Sequence, residues 1–381
     1  MSSNDSISSL AVPSVSELQA YQPGKPISDL EREYGVSNII KLASNENPVG
    51  ASPAALSAMQ ETLSDMALYP DGGGFELKGA LSVLHDIDPA CITLGNGSND
   101  VLVLLAEAFL QPGCEAVYSQ YCFAVYPLVT HATGATGIEV PALDDDKAQA
   151  MGHDLDAMRA HIGPNTRMVF IANPNNPTGT WIEEGPLEAF IASLPEHVLV
   201  IVDEAYHEYS ALLGVPDVSK WLARYPRLVV TRTFSKAYGL AGIRVGYSLS
   251  SPEVARLINK IRQPFNVNSL ALSGATAALK DQAFIAESVR VNSLGIEQIQ
   301  ADCEVLGIAT LPSAGNFILA DMGRPAKPVY EALLGAGIIV RPVANYGLDR
   351  HLRISVGTQL QNSKLMAALG KIFRECGADT A

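Results

Sequence analysis

The sequence predicts an α/β fold in which a mainly parallel β-sheet is covered by helices, followed by a smaller α+β unit. The 381 residues are 48% hydrophobic and 17% charged, a composition typical of globular proteins that excludes disorder, collagen and coiled coils. Short β-rich runs alternate with helical stretches between about residues 53 and 280, which is the pattern of strands joined by crossover helices. Charged residues interrupt the most apolar stretches long before the roughly 18 residues that a membrane span needs, so we expect a soluble core.

The predicted elements follow in order along this region. Strands are expected at AVYS (116–119), RMVFIAN (167–173), VLVIVDE (198–204), LVVTRTFS (228–235) and VGYSLS (245–250). Helices are expected at SNDVLVLLAEAFL (98–110), PLEAFIASL (186–194) and PEVARLINKIR (252–262). Strands and helices that alternate in this way favour a sheet that is buried beneath its helices.

The chain after residue 281 has a different pattern. A long helical segment (282–307) leads into short strands around NFILADM (316–322), GIIVRPV (337–343) and HLRISVG (351–357). Since chain ends often lie close together, these strands are expected to pack with the N-terminal segment. We therefore predict an N-terminal arm that is also part of a small domain (1–47), a large domain (48–280) and a small C-terminal domain (281–381).

Charge and cysteine content exclude several kinds of partner. Lys and Arg total 26 against 40 Asp and Glu, and the formal net charge of −14 argues against nucleic acid and anionic membrane surfaces. The cysteines are Cys91, Cys114, Cys122, Cys303 and Cys376. They are never spaced CxxC, and the histidines form no ligand-spaced cluster, so no metal site is expected. Scattered thiols, and a start that is neither basic nor continuously apolar, favour the cytoplasm.

Two segments combine the residue types that Schiff-base chemistry needs. Asp203 and Tyr206 follow the strand VLVIV, and ligands of α/β sheets collect beyond the carboxyl ends of strands. Lys236 follows the next strand, and Arg244 lies eight residues further on. Desolvation and a nearby cation lower the pKa of a lysine towards reactivity, so Lys236 is a candidate nucleophile.

A candidate phosphate site combines hydroxyl groups, a guanidinium and a helix N-terminus. Thr233, Ser235 and Arg244 offer hydroxyl donors and one fixed positive charge. The turn GNG leads into a helix whose free N–H groups at Ser98 and Asn99 can bind an anion.

The loop ANPNNPTGT (172–180) is a further candidate ligand site. Its prolines make it stiff, and its asparagines present amide groups at fixed positions. Either Asn173 or Asn176 could face a ligand.

Four motifs together resemble a known family. They are NPNNPTG (173–179), VDEAY (202–206), TFSKAYGLAGIRVGY (233–247) and LRISVGT (352–358). In this order, with 27 residues from Asn176 to Asp203 and 33 from Asp203 to Lys236, they resemble the fold type I aminotransferases that use pyridoxal 5′-phosphate. The resemblance covers nearly the whole chain. It implies a large domain with a seven-stranded, mainly parallel sheet and a smaller α+β domain.

The resemblance implies a role for each candidate. Lys236 would carry the cofactor and move the proton from the substrate Cα. Asp203 would pair with the protonated pyridine nitrogen, which keeps the ring able to accept electrons. Tyr206 and Asn176 would hydrogen-bond the phenolate oxygen of the ring.

Further cofactor contacts follow from the same resemblance. Phe123, from the cluster YCFAVY, would stack on the ring, with Tyr121 as its rival. The cofactor phosphate would lie among Ser98, Asn99, Thr233, Ser235 and Arg244. Tyr69, in LYPDGGG, resembles a tyrosine that reaches this phosphate from the neighbouring subunit, which implies a homodimer with shared active sites.

The substrate is implied by a closer resemblance. Segment 337–358, with SNENPVG (44–50) and YPDGGG (69–74), resembles the histidinol-phosphate aminotransferases. These transfer the amino group of L-glutamate to imidazole-acetol phosphate, giving L-histidinol phosphate and 2-oxoglutarate. Arg353, in HLRISVGT, aligns with the arginine that binds the substrate α-carboxylate in aminotransferases. Arg341 could supply a second cation for the phosphate ester, and Tyr21 and Asn176 would line the same substrate site.

Two other activities stay open at this point. An aromatic aminotransferase acting on Phe or Tyr would use the same catalytic residues with a slightly different pocket. Relatives of this fold also decarboxylate phosphorylated amino acids. A cofactor-sensing transcription regulator is disfavoured, because the sequence has no basic helix-turn-helix segment.

Overall fold

The computed structural model describes residues 7–16, 18–20, 23–144 and 149–378. Its helices are α1 (Pro13–Ser16), α2 (Ile27–Tyr34), α3 (Pro53–Thr62), α4 (Phe75–His85), α5 (Ser98–Phe109), α6 (Val125–Ala132), α7 (Leu155–Ala160), α8 (Glu184–Ser193), α9 (His207–Ser210), α10 (Pro252–Asn259), α11 (Ser269–Lys280), α12 (Gln282–Val305), α13 (Ala326–Gly335) and α14 (Gln359–Ala378). Its strands are β1 (Ile40–Lys41), β2 (Ile92–Gly95), β3 (Glu115–Ser119), β4 (Thr136–Val140), β5 (Thr166–Ala172), β6 (Leu199–Asp203), β7 (Leu228–Thr233), β8 (Gly246–Leu249), β9 (Ala309–Thr310), β10 (Phe317–Asp321), β11 (Ile338–Ile339), β12 (Arg341–Pro342) and β13 (His351–Ser355). Among these described helices, none combines the length and the apolar character needed to cross a bilayer.

A seven-stranded sheet forms the centre of the large unit, in the order β2-β8-β7-β6-β5-β3-β4. The neighbours from β7 to β4 are parallel, and β8 runs antiparallel to both β7 and β2. The prediction of a mainly parallel α/β sheet with seven strands is confirmed. The five central strands coincide with the predicted runs, whereas the edge strands β2 and β4 have no counterpart among them.

Alternate residues of the central strands enter two separate cores. In β5, Val169 packs in the core that contains Leu81 of α4, whereas Phe170 packs in the core that contains Leu102 of α5. Side chains alternate across a strand, so one apolar run is covered by helices on both faces. All five residues of β6 are accordingly buried.

The C-terminal unit has its own antiparallel sheet, in the order β12-β13-β10-β9. Helices α12, α13 and α14 contribute to its core. Strand β1 pairs in parallel with β11, so the N-terminal segment is joined to this unit. The domain boundaries after residues 47 and 280 stay predictions.

A buried ion pair links the carboxyl ends of β6 and β7. Arg232 donates to Glu204 Oε2 from Nε at 2.9 Å and from Nη2 at 2.7 Å, and Nη2 also donates to Asp217 Oδ1 at 2.5 Å. The Arg232 and Glu204 side chains are 4% and 2% exposed, and Glu204 Oε1 accepts the Val218 N–H at 2.9 Å. This pair holds together the two strand ends from which the predicted site loops begin.

Replacing Arg232 by Met is expected to lower the free energy of unfolding by about 3–5 kcal/mol, because Glu204 would stay buried without its cation. Arg227→Met is the matched control, since Arg227 pairs with Glu196 at the surface, where the side chains are 44% and 93% exposed. Loss of such an exposed pair should cost about 1 kcal/mol or less. Urea unfolding measures both variants, and equal losses would contradict the role given to Arg232.

Candidate active site

A cavity of about 270 Å³ opens at the carboxyl ends of β5, β6 and β7. This is the edge of a parallel α/β sheet where ligands are expected. The structure brings ten of the predicted site residues to its wall. They are Ser98, Asn99, Phe123, Asn176, Asp203, Tyr206, Thr233, Ser235, Lys236 and Arg244.

Lys236 is partly buried in this cavity, close to two cations. Its Nζ donates to Ser44 O at 3.2 Å and lies 5.7 Å from the centroid of the Tyr206 ring. Burial, and after it the guanidinium groups of Arg353 and Arg244, lower the pKa of the amine to about 7. A substantial fraction of Lys236 is therefore neutral and nucleophilic at neutral pH.

Asp203, at the end of β6, is a buried carboxyl with one open oxygen. Oδ2 accepts a hydrogen bond from the Tyr126 hydroxyl at 2.9 Å, while Oδ1 has no partner of hydrogen-bond geometry in the described part of the chain. Burial raises the pKa of this carboxyl above its ordinary value. A cationic N–H donor facing Oδ1 would stabilise the ionised form, and a protonated pyridine nitrogen is such a donor.

Tyr206 and Phe123 supply aromatic groups to the cavity. The Tyr206 hydroxyl accepts a hydrogen bond from Asn45 Nδ2 at 2.9 Å, and burial raises the pKa of Tyr206 to about 12, so the hydroxyl stays protonated at neutral pH. The Phe123 ring meets the Tyr126 ring edge-on, with centroids 5.9 Å apart. Phe123 lines the cavity and its rival Tyr121 does not.

A second group of cavity residues has the composition of a phosphate site. Helix α5 begins at Ser98, and its first N–H groups have no partner within the helix. Arg244 Nη1 donates to Ser235 Oγ at 3.3 Å and to Ala241 O at 3.0 Å. Gly97 has a φ of +88°, and a Cβ there would collide with the Arg244 guanidinium. Glycine at this position thus lets the cation approach the start of α5.

Arg353, on β13 of the C-terminal unit, reaches the large unit beside the cavity. Its Nη1 donates to Asn176 Oδ1 and its Nη2 to Ala43 O, both at 2.6 Å. The residue is only 9% exposed and its guanidinium lies 5.5 Å from the centroid of the Phe317 ring. Asn173, the alternative to Asn176, instead hydrogen-bonds the backbone of its own loop. A nearly buried planar guanidinium in this position suits a carboxylate or phosphate.

Two predicted residues, Tyr69 and Arg341, are not brought to the cavity of this chain. Tyr69 is 82% exposed and stacks on Phe265, with ring centroids 4.7 Å apart. Arg341 is the register partner of Arg353 in the neighbouring strand and lines a separate groove. Tyr21 lies outside the described residues.

Sequence reasoning missed two residues that hold the site. Tyr126 belongs to the same aromatic cluster as Phe123, three residues further on, and this cluster was the signal that could have identified it. Asn45 lies in the motif SNENPVG. Its partner Tyr206 is 161 positions away, so no local pattern reveals the contact.

Glu204, His207 and Asp217 place potential metal-ligand atoms within 4.8 Å of one another. Arg232 donates to both carboxylates, so each already has a cationic partner. His207 Nδ1 lies 3.9 Å from Glu204, and burial lowers the pKa of this histidine to about 4. Although His207 follows Tyr206 in sequence, its ring joins this ion-pair cluster and not the cavity wall.

The residues around the cavity fit pyridoxal 5′-phosphate. The open oxygen of Asp203 would face the ring nitrogen, and Phe123 would cover a face of the ring. The start of α5 together with Arg244 would hold the phosphate, while the Lys236 amine would bind the aldehyde carbon.

Comparisons with known proteins agree with this chemistry. The family Aminotransferase class I and II matches residues 37–372. The chain is 55% identical over 368 residues to histidinol-phosphate aminotransferase 2 of Methylococcus capsulatus, covering 97% of this chain and 99% of that protein. It is 54% identical over 366 residues to histidinol-phosphate aminotransferase 2 of Pseudomonas aeruginosa, covering 96% and 98%.

A solved structure extends the likeness to three dimensions. The histidinol-phosphate aminotransferase of Sinorhizobium meliloti, crystallised with pyridoxal 5′-phosphate, matches with a TM-score of 0.87 and 31% identity over 96% of this chain and 98% of that one. The expected fold type I architecture is confirmed. The chain belongs to the pyridoxal-phosphate-dependent aminotransferases of classes I and II, and among them to the histidinol-phosphate aminotransferases.

Proposed function

We propose that this enzyme transfers the amino group of L-glutamate to imidazole-acetol phosphate, reversibly, giving L-histidinol phosphate and 2-oxoglutarate in histidine biosynthesis. The observation that carries the proposal is 55% identity across 97% of the chain to a histidinol-phosphate aminotransferase. Arg353 supports it chemically. Its guanidinium can bind the α-carboxylate of glutamate and the phosphate of histidinol phosphate in the same bidentate manner.

The proposal gives each catalytic residue the role that the family resemblance implies, and the contacts within the site support these roles. When bound, pyridoxal 5′-phosphate supplies a cationic ring that accepts the electron pair left on the substrate Cα. Lys236 Nζ would take the proton from the substrate Cα as a base and deliver it as an acid to the cofactor carbon that carried the aldehyde, for which a pKa near 7 is well suited. Asp203 keeps a proton on the ring nitrogen, with Tyr126 orienting its other oxygen. Tyr206 and Asn176 donate hydrogen bonds to the phenolate oxygen of the ring.

The remaining assigned residues hold the cofactor in place. Phe123 covers the face of its ring. The phosphate group is held by the start of α5 and the loop after β7, namely by Ser98, Asn99, Thr233, Ser235 and Arg244.

We further propose a homodimer in which Tyr69 completes the site of the partner subunit. Tyr69 and the stacked Phe265 are 82% and 44% exposed. Large apolar side chains on the same stretch of chain are also exposed, namely Leu63, Met66, Leu68 and Phe75. Asn266 donates to Asp100 Oδ2 in the first turn of α5 at 2.7 Å, which places this apolar surface beside the proposed phosphate site. A second copy of the chain would cover it.

The cytoplasm is the compartment we propose. The described cysteines with assigned side-chain burial, Cys91, Cys114, Cys122 and Cys303, are free thiols, as expected in a reducing environment.

Single-turnover spectroscopy tests the proposed reaction. The cofactor-loaded enzyme is mixed separately with L-histidinol phosphate, L-glutamate and L-phenylalanine, and the cofactor absorbance is followed. Fast conversion by the first two and slow conversion by phenylalanine are expected, because only the first two belong to the proposed reaction. Preference for phenylalanine would indicate an aromatic aminotransferase, and release of CO2 from a phosphorylated amino acid would indicate a decarboxylase.

The pH dependence of cofactor attachment tests the assignment of Lys236. Only the neutral amine attacks an aldehyde, and its lowered pKa means that the neutral fraction grows as the pH rises through about 7. The attachment rate of the cofactor-free protein should therefore rise up to about pH 8 and then level off, as stopped-flow absorbance can measure. Lys236→Ala is the unreactive control. A rate that still rises near pH 10, the ordinary pKa range of lysine, would contradict the assignment.

Subunit complementation tests the shared active site. Tyr69→Ala and Lys236→Ala each should be nearly inactive as homodimers at limiting cofactor concentration. Mixed dimers place both changes in one site and leave the other intact, so mixing the variants after partial unfolding should restore activity. If the mixture regains nothing while each variant remains dimeric by sedimentation, Tyr69 does not act across the interface.

A further inference from the structure

Ser44 and Glu46 of the motif SNENPVG line the cavity, and the residues around them hold side chains of the site. Residues 43–45 contact, in order, Arg353, Lys236 and Tyr206. The next residue, Glu46, also lines the cavity. It has no role in the proposed amino-group transfer. The Glu46 carboxylate is therefore a charged cavity group without a function in that reaction.

The Glu46 carboxylate is held at one oxygen and open at the other. Oε1 accepts from Lys41 Nζ at 2.7 Å, and Oε2 has no hydrogen bond to any residue that the structure describes. The side chain is 45% exposed, so it can meet a molecule that enters from solvent. Glu46 and Lys236 line the same cavity, and the charge of Glu46 opposes the lowering of the Lys236 pKa by burial.

The proposed substrate carries three groups that need partners. The phosphate of histidinol phosphate would bind Arg353, and its amine would lie beside Lys236. The imidazole ring remains, and its N–H must find an acceptor, because a polar group that is desolvated without a partner costs free energy. Asp203 and Glu46 are the carboxylates on the cavity wall within the described chain, and Asp203 serves the ring of the cofactor.

We propose that Glu46 accepts a hydrogen bond from the imidazole N–H of the substrate, an inference that rests on the proposed function. This hydrogen bond would favour a substrate with an imidazole ring over one with a benzene ring. A benzene ring offers no N–H and gains nothing from the open oxygen. The distal carboxylate of glutamate also gains nothing, since it carries the same charge. Glu46 is thus a specificity residue for one of the two substrates.

The test uses a matched pair of substrates, L-histidinol phosphate and 2-amino-3-phenylpropyl phosphate, which differ only in the ring. Glu46→Leu removes the acceptor, and Glu46→Gln keeps a weaker, neutral one. We expect kcat/KM for histidinol phosphate to fall about tenfold in Glu46→Leu and less in Glu46→Gln, as loss of one charge-assisted hydrogen bond at a half-exposed site implies. The phenyl substrate and L-glutamate should change by no more than about twofold.

Two further measurements make the test specific. Glu304→Leu, at an exposed position near the end of α12, is the control for loss of a surface carboxylate and should change neither substrate. In the Lys236→Ala background, calorimetry should show about tenfold weaker binding of histidinol phosphate when Glu46→Leu is added, which reports recognition without turnover.

The outcomes separate this inference from the proposed function. If the wild-type enzyme converts histidinol phosphate but Glu46→Leu affects both phosphates equally, or neither, the inference about Glu46 is overturned while the function stands. If the wild-type enzyme does not convert histidinol phosphate at all, the proposed function fails and the role of Glu46 fails with it.

Discussion

The buried pair of Arg232 and Glu204 is the interaction on which the site geometry depends. Glu204 directly follows Asp203 at the end of β6, and Arg232 directly precedes Thr233 at the end of β7. Two hydrogen bonds between these side chains therefore set the spacing of the strand ends one residue from the groups that face the cavity. Burying both charges carries a large desolvation cost, so the pair contributes more to geometry than to net stability.

The charges around Lys236 determine what the site can do at neutral pH. Burial and two guanidinium groups lower the pKa of this amine, while the carboxylates of Glu46 and Asp203 act in the opposite direction. The arginines stay charged throughout, because a guanidinium does not lose its proton in this range. The same cations that would bind anionic groups of cofactor and substrate thus also keep a fraction of Lys236 neutral, so binding and reactivity share one electrostatic cause.

Local patterns predicted the parts of the structure that local interactions determine. Short β-rich runs in the sequence predicted the five central strands of the sheet. No such run predicted β2 and β4, which lie at its two edges. Motifs and their spacing likewise predicted ten residues of the cavity wall. Contacts between residues far apart in sequence could not be predicted from local patterns. The choice of Asn176 over Asn173 depends on Arg353, which lies 177 positions further along the chain. The bond from Tyr126 to Asp203 spans 77 positions.

The segment around Asn45 shows how such distant contacts build one site from two units. Asn45 and Ser355 of the C-terminal sheet hydrogen-bond each other twice at 2.8 Å, while Asn47 Nδ2 donates to Ala237 O, next to Lys236, also at 2.8 Å. The segment that contains Asn45 and Asn47 is therefore hydrogen-bonded to both units. A movement of the C-terminal unit relative to the large sheet would therefore strain or break one of these two sets of hydrogen bonds. Substrate recognition and the position of the reacting amine are in this way coupled through hydrogen bonds, although Glu46, Lys236 and Arg353 are far apart in sequence.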